Sequence, residues 1–218
     1  MNRAATLGRV KEGYTGGARR IATRSILGLA KTRLTPNVLT AAGVMLCALA
    51  AVLVYFEKDD ALLFYWLAAV VFVAGSVLDI LDGALARVGG KQTPFGAFID
   101  STTDRVSEGF VLGAIALVFA RQGNSVALAS TFAAVGGSFL VSYTRARAEA
   151  LGLRGDVGIG SRAERVVVIT AGLVLAPWGA LQWAIYVLAA TAWVTVVQRI
   201  VHVRKQLISG GIDEFNQR

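Results

Sequence analysis

Long stretches without a charged residue constrain the fold of this chain more than any other feature. Residues 38–56, 61–78 and 166–198 contain no aspartate, glutamate, lysine or arginine. A helix that spans a bilayer needs about 20 mostly apolar residues. As a single helix, residues 166–198 would extend about 50 Å, whereas the hydrocarbon core is about 30 Å thick. Because Pro177-Trp178-Gly179 supplies a break, this run is predicted to form two spans joined by a tight hairpin.

The composition agrees with a membrane location. Hydrophobic residues make up 55% of the chain and charged residues 17%, whereas soluble domains average about 45–50% apolar and about 25% charged residues. Further spans are predicted at residues 94–120 and 122–144, the run at 61–78 continues into Asp79, and the fifth helix is predicted to begin near Ser161. We therefore predict an all-α integral membrane protein with about six transmembrane helices.

The N-terminal segment mixes aliphatic and basic side chains. Residues 17–34 are predicted to form an amphipathic interfacial helix in the headgroup layer, where basic side chains meet anionic lipid. For the residues before Gly17, a disordered basic tail is the alternative. We divide the chain into a cytoplasmic basic arm and juxtamembrane helix (1–34), a membrane domain (35–205) and a cytoplasmic tail (206–218).

The distribution of basic residues predicts the orientation, because short cytoplasmic loops are enriched in lysine and arginine. The loops after the first, third and fifth spans hold only Lys58 and Arg121. The opposite side holds most of the remaining basic residues, and these account for much of the net charge of +8. We therefore predict a multi-pass protein of the plasma membrane with both termini and the active site in the cytoplasm. This placement explains the charge without nucleic acid as a partner.

Four aspartates border the second and third predicted spans. Asp79 and Asp82 are three residues apart, and Asp100 and Asp104 are four apart, so each pair shares one helix face. One alternative is that they pair with Arg87 and Arg105. Aspartates in a membrane are costly and usually functional, and oxygen ligands select a hard cation such as Mg²⁺, with Mn²⁺ as a substitute. The single cysteine, Cys47, argues against a zinc site.

These residues match a known signature. The pattern Asp79-x2-Asp82-Gly83-x2-Ala86-Arg87-x8-Gly96-x3-Asp100-x3-Asp104 resembles that of the CDP-alcohol phosphatidyltransferases. The resemblance implies a homodimer and attack of an alcohol on the lipid-side phosphorus of a CDP-lipid, with CMP leaving. It implies two metal ions, both bridged by Asp79 and Asp100, with Asp82 completing one site and Asp104 the other. Asp104 is also the implied base.

The same resemblance implies contacts with the CDP-lipid. The matching positions are Asn37, Val38, Leu39, Thr40, Gly83, Arg87 and Thr93. A glycine leaves room for a nucleotide beside the helix, and an arginine suits a pyrophosphate. The lipid is CDP-diacylglycerol or CDP-archaeol, and no residue separates the two.

Basic residues around the fourth and fifth spans bear on the acceptor alcohol. Ser161-x2-Glu164 is predicted to be a capping box, and a helix N-terminus attracts phosphate. Ordinary positive-inside decoration is the alternative. Residues 142–168 resemble phosphatidylinositol phosphate synthases, in which basic residues hold the phosphate of inositol phosphate. The corresponding candidates here are Arg145, Arg162 and Arg165, with Arg199 on the last helix as a third basic element.

Inositol phosphate is therefore the favoured acceptor, and phosphatidylinositol phosphate the favoured product. Glycerol 3-phosphate is the alternative acceptor, because it also needs an anion pocket. A cation channel or transporter is a more distant alternative, since intramembrane acids also line ion pathways. That function gives no reason for Gly83, Arg87 and Thr93 to stand where they do.

Overall fold

The structure is a computed structural model that describes residues 36–88, 90 and 93–209. This part of the chain folds into six α-helices and a short 3-10 turn, without a strand. The helices are α1 (Pro36–Tyr55), α2 (Ala61–Val88), α3 (Pro94–Arg121), α4 (Ser125–Ala150), α5 (Arg162–Val174) and α6 (Leu181–Ser209), with the turn at Ala176–Trp178. The predicted interfacial helix at 17–34 lies outside the described residues.

Four helices, α1, α2, α4 and α6, are long and apolar enough to cross a membrane. Helix α3 is long enough but carries charged residues in its first half, and α5 has only 13 residues, or about 20 Å at 1.5 Å per residue. The predicted all-helical membrane fold is confirmed. The assignment of α3 and α5 as complete spans, to reach about six, stays a prediction.

Local sequence signals explain where the helices begin and end. Thr93 caps α3, which begins with Pro94, and its hydroxyl accepts a hydrogen bond from Gly96 N at 2.9 Å. The predicted capping box of α5 is confirmed, because Ser161 and Glu164 bond each other's backbone N–H. The predicted break after α5 is also confirmed: Pro177 lies in the 3-10 turn, and Gly179 has the left-handed φ of 77°.

Two helix boundaries differ from the expectation. Helix α4 begins at Ser125 rather than 122, because the Asn124 side chain caps it by accepting from Ala127 N at 3.0 Å, and it extends to Ala150. Helix α6 continues to Ser209, and the end of the membrane domain at residue 205 stays a prediction. An apolar run ends at its first charged residues, but a helix can continue into the headgroup layer.

The helices pack as a ring of neighbours. Helix α1 packs against α2 and α3, α4 packs against α3 and α6, and α5 packs against α2 and α6. The start of α1, the end of α2 and the start of α3 therefore meet at one end of the bundle. The end of α4, the start of α5 and the end of α6 lie at the same end, and polar contacts described below join the two sets.

Candidate active site at one end of the bundle

Three aspartates converge where α2 ends and α3 begins. Carboxylate oxygens of Asp79, Asp82 and Asp100 lie within 4.8 Å of one another. Asp79 is 7% exposed and Asp82 is 3% exposed. Asp104, one turn along α3, lies outside this group of three but is linked to it through Arg162, which contacts both Asp79 and Asp104. The predicted pairs thus share one end of the bundle, with Asp104 at the edge of the cluster.

The chemistry of the cluster fits a divalent cation. Among the described residues, Asp82 Oδ1 and Asp104 Oδ1 are buried oxygens without a hydrogen-bond partner. Asp104 Oδ1 lies 2.7 Å from Arg162 Nη1, but as an ion pair rather than an aligned hydrogen bond. Buried oxygens without donors are unfavourable unless they coordinate something, and carboxylates suit Mg²⁺ or Mn²⁺. A hard divalent ion would satisfy both.

Helix α1 reaches the aspartates through Thr40. The Thr40 hydroxyl donates a hydrogen bond to Asp82 Oδ2 and also lies 3.1 Å from Pro36 O. The approach is close because glycines line the crossing of α1 and α2. A Cβ on Gly43 would lie 3.0 Å from Gly75 O, and one on Gly75 would lie 2.9 Å from Cys47 Sγ. The crossing thus positions Thr40 beside the cluster.

The candidate CDP-lipid residues lie at the same end of the bundle. Asn37 and Val38 are exposed, whereas Leu39 is buried and Thr40 is bonded to Asp82. The side chains of Leu39 and Thr40 therefore face protein rather than open space. Arg87 lies over Gly83, because a Cβ built on Gly83 would be 3.6 Å from Arg87 Nη1. Thr93 caps the helix that carries Asp100 and Asp104.

Among the predicted phosphate-binding arginines, Arg162 lies against the aspartates and Arg145 is exposed. Arg162 is the first residue of α5, and its guanidinium pairs with Asp79 and Asp104. Arg145 pairs with Glu149 one turn along α4 at 2.9 Å, and both side chains are more than half exposed. Such an exposed pair is weak, so Arg145 is free to exchange partners.

The other two arginines are buried and hold backbone groups. Arg165 donates to both carboxylate oxygens of Glu108 and, through Nη1, to Gly160 O at 2.9 Å. Arg199 donates to Val157 O at 2.8 Å and to Val141 O. Both therefore anchor the loop between α4 and α5. An arginine has five N–H donors, so each keeps donors beyond these bonds.

A recess beneath Asp104 holds residues that the spacing patterns did not single out. It encloses about 290 Å³, including the space at its mouth. The polar residues on its wall are Cys47, Ser76, Asp104, Ser107, Glu108, Arg162 and Arg165. Glu108 was missed as a functional candidate because it is not part of the signature. Its position as an acid inside a largely apolar helix was the available signal.

The alternative in which the aspartates pair with Arg87 and Arg105 is met only in part. Arg105 Nη1 lies 3.7 Å from Asp104 Oδ2, whereas Arg87 lies over Gly83. The guanidinium that contacts two of the four aspartates belongs to Arg162 on another helix. Sequence spacing could not reveal this contact, because 58 to 83 residues separate the partners.

Comparison with known proteins agrees with this arrangement. The family model of CDP-alcohol phosphatidyltransferase matches residues 33–201. The chain is 37% identical over 183 residues to an archaetidylinositol phosphate synthase of Pyrococcus horikoshii, which covers 84% of this chain and 90% of that protein. The family-model match includes the four-aspartate segment and the whole of α1 to α5.

Solved structures show the same fold. The crystal structure of Mycobacterium tuberculosis phosphatidylinositol phosphate synthase with CDP-DAG bound has a TM-score of 0.74 and 33% sequence identity, over 84% of this chain and 94% of that one. The same synthase in complex with manganese and citrate has a TM-score of 0.74 and 33% identity, over 84% and 88%. A divalent metal therefore agrees both with this structural match and with the carboxylate ligands of the aspartate cluster. The chain is a multi-pass membrane transferase, and it belongs to the CDP-alcohol phosphatidyltransferase family.

Proposed function

We propose that this enzyme transfers a phosphatidyl group, or its ether-lipid equivalent, from a CDP-lipid to a hydroxyl of inositol phosphate. The products would be CMP and phosphatidylinositol phosphate. The single observation that carries the proposal is that Arg162, at the N-terminus of α5, lies against Asp79 and Asp104. An anion-binding helix end is thus adjacent to a cluster suited to metal. The names of the relatives described above support the same acceptor.

The residues have distinct roles in the proposed reaction. Asp79, Asp82, Asp100 and Asp104 would hold two Mg²⁺ or Mn²⁺ ions, which when bound polarise phosphoryl oxygens. The acceptor oxygen forms a bond to the lipid-side phosphorus, and the bond from that phosphorus to the bridging pyrophosphate oxygen breaks. CMP leaves with that oxygen. The proton of the acceptor hydroxyl passes to the Asp104 carboxylate, the base at the edge of the cluster.

The CDP-lipid would lie along the starts of α1 and α3 and the end of α2. The segment at the start of α1 consists of Asn37, Val38, Leu39 and Thr40. Asn37 and Val38 are exposed to the lipid, and Thr40 acts through its bond to Asp82. At the end of α2, Gly83 leaves space and Arg87 supplies a cation for the pyrophosphate. Thr93 holds the start of α3 next to it. CDP-diacylglycerol and CDP-archaeol both fit this arrangement.

The acceptor phosphate would be held on the opposite side of the cluster. Arg162 and the exposed Arg145 provide the most accessible guanidinium groups. Arg165 and Arg199 add charge from the buried side and keep the loop between α4 and α5 in place. Guanidinium groups bind phosphate oxygens in bidentate geometry. Glycerol 3-phosphate carries the same anion and is the competing acceptor.

We also propose that the active site faces the cytoplasm of a plasma-membrane protein that forms a homodimer. Among the described residues, most lysines and arginines lie at the end of the bundle with the aspartates, as the positive-inside rule expects. The excess charge would meet anionic lipid rather than nucleic acid.

A panel of acceptors tests this function. Purified protein with Mg²⁺ and CDP-diacylglycerol would be given inositol phosphate, glycerol 3-phosphate or unphosphorylated inositol, and CMP release measured. We expect release with inositol phosphate and little with the other two. Strong release with glycerol 3-phosphate alone would overturn the acceptor assignment. In sealed vesicles, the impermeant acceptor should support release only in the inside-out orientation, and release in right-side-out vesicles would contradict the cytoplasmic site.

A further inference from the structure

A buried carboxylate lies one helical turn beyond Asp104. Glu108 is 8% exposed, and both of its oxygens accept hydrogen bonds from Arg165, at 2.8 Å from Nε and 3.0 Å from Nη2. Arg165 is itself 5% exposed, and its Nη1 donates to Gly160 O at 2.9 Å. This bidentate pair therefore joins α3 to the first turn of α5 and to the loop residue just before it.

The pair belongs to a two-step ladder between α3 and α5. On α3, Asp104 and Glu108 are four residues apart, and on α5, Arg162 and Arg165 are three apart, so each set lies on one helix face. Arg162 pairs with Asp104, and Arg165 pairs with Glu108. Two ion pairs between two helices restrict both the rotation of α5 about its axis and its sliding along α3. Of the two ion pairs, the one between Arg165 and Glu108 is buried.

We infer that Glu108 is a positioning residue for the acceptor site. Acting through Arg165, it holds the start of α5 where the Arg162 guanidinium lies beside Asp79 and Asp104. The inference rests on the proposed function in that it assumes a phosphorylated acceptor held by Arg162. Because both Glu108 oxygens are bonded to Arg165, loss of Glu108 is expected to act on acceptor binding by displacing Arg165 and Arg162, and to leave the CDP-lipid side of the cluster in place.

Two substitutions of Glu108 disturb the pair with Arg165 in different ways, one by removing the charge and the other by shortening the side chain. In Glu108→Gln the side chain keeps its size, but an amide N–H₂ would face the guanidinium donors, and Arg165 would become a buried charge without a counterion. Breaking a buried pair in this way is strongly destabilising, so Arg165 is expected to leave the interface and release Gly160. In Glu108→Asp the charge stays, but the side chain is one methylene too short for the bidentate contact.

An ion pair between the other end of α3 and the turn after α1 supplies a matched control. At the other end of α3, Arg121 Nη2 lies 3.2 Å from Glu57 Oε1, and Glu57 is 8% exposed, the same as Glu108. Glu57→Gln therefore removes a comparable buried carboxylate far from the aspartates. The two variants differ in which end of the bundle they disturb.

The experiment measures KM for the acceptor and for the CDP-lipid separately, by CMP release, together with the thermal unfolding temperature. For Glu108→Gln we expect the acceptor KM to rise about tenfold or more, with the CDP-lipid KM within about twofold of wild type. For Glu108→Asp, the acceptor KM should lie between that of wild type and that of Glu108→Gln. Glu57→Gln should leave both KM values within about twofold, even where its unfolding temperature falls as far.

A double-variant cycle tests whether Glu108 acts through Arg165. Adding Glu108→Gln to Arg165→Gln should change the acceptor KM by less than about twofold, because the interaction is already absent. Equal changes in both KM values for Glu108→Gln, an equal rise for Glu57→Gln, or additive effects in the double variant would each overturn the inference. If Glu108→Gln does not fold, the same criteria apply to Glu108→Asp.

The wild-type enzyme separates failure of the inference from failure of the proposed function. If glycerol 3-phosphate rather than inositol phosphate supports turnover, the acceptor assignment fails. The role of Glu108 is then tested with glycerol 3-phosphate in the same way, by comparing the changes in the acceptor KM and the CDP-lipid KM. If neither phosphorylated acceptor supports turnover, both proposals fall.

Discussion

Thr40 shows how one hydroxyl prepares a carboxylate for metal. The hydroxyl has a single hydrogen, and it lies within reach of Pro36 O and the Asp82 carboxylate. The charged oxygen is the stronger acceptor, so the hydrogen goes to Asp82 Oδ2. This bond fixes the carboxylate and leaves Oδ1, which is buried without a donor among the described residues, available to coordinate a cation. Residues of this kind tune metal affinity without touching the ion.

Removing the Thr40 hydroxyl should therefore weaken metal binding. Thr40→Val keeps the shape of the side chain, and we expect an affinity for Mn²⁺ lower by about 10–100-fold. Thr40→Ser should retain most of the affinity. Thr131→Val is the control, because the Thr131 hydroxyl is also buried but bonds only Ala127 O within α4. Wild-type affinity in Thr40→Val, measured by titration of the purified protein, would contradict this role.

The crossing of α1 and α2 is the element that brings Thr40 to Asp82. Gly43 and Gly75 meet there, and Gly75 lies one turn before Asp79 on α2. The four aspartates could be picked out from the sequence because acids stand out among apolar residues. The two glycines could not, because glycine is common in membrane helices and only the crossing shows which ones need to be small. Residues 142–168 indicated the acceptor region, but not that Arg165 bonds Glu108.

A methyl group at the crossing should separate α1 from α2. In Gly75→Ala the new Cβ would lie 2.9 Å from both Cys47 Sγ and Gly43 O. Overpacking of this kind costs about 1–3 kcal/mol, so we expect a lower unfolding temperature and weaker Mn²⁺ binding. Gly113→Ala in α3 is the control, since no described atom lies within 4 Å of its Cβ and alanine favours helix. If Gly75→Ala unfolds at the same temperature as Gly113→Ala, the crossing of α1 and α2 does not require a glycine at position 75.

At the scale of the whole molecule, one end of the bundle forms the candidate active site and the other end is held by structural contacts. One end gathers the aspartates and the basic residues, and the other is braced by Arg121, which contacts Glu57 and Tyr55 O. The spans and this division followed from apolar runs and basic loops, which depend on bilayer thickness and surface charge alone. The limits of the short α5 also followed from the sequence, from the capping box at Ser161 and the break at Pro177, whereas its ion pairs with α3 did not.

Binding of Mn²⁺ to the purified protein, compared between wild type and Asp100→Asn, tests the central claim most directly. If aspartates from α2 and α3 share divalent ions, wild type should bind two ions per chain. Asp100→Asn should lose most of this binding and its CMP release, while its unfolding temperature without metal stays near that of wild type. Equal Mn²⁺ binding by both proteins, or none by wild type, would contradict the account.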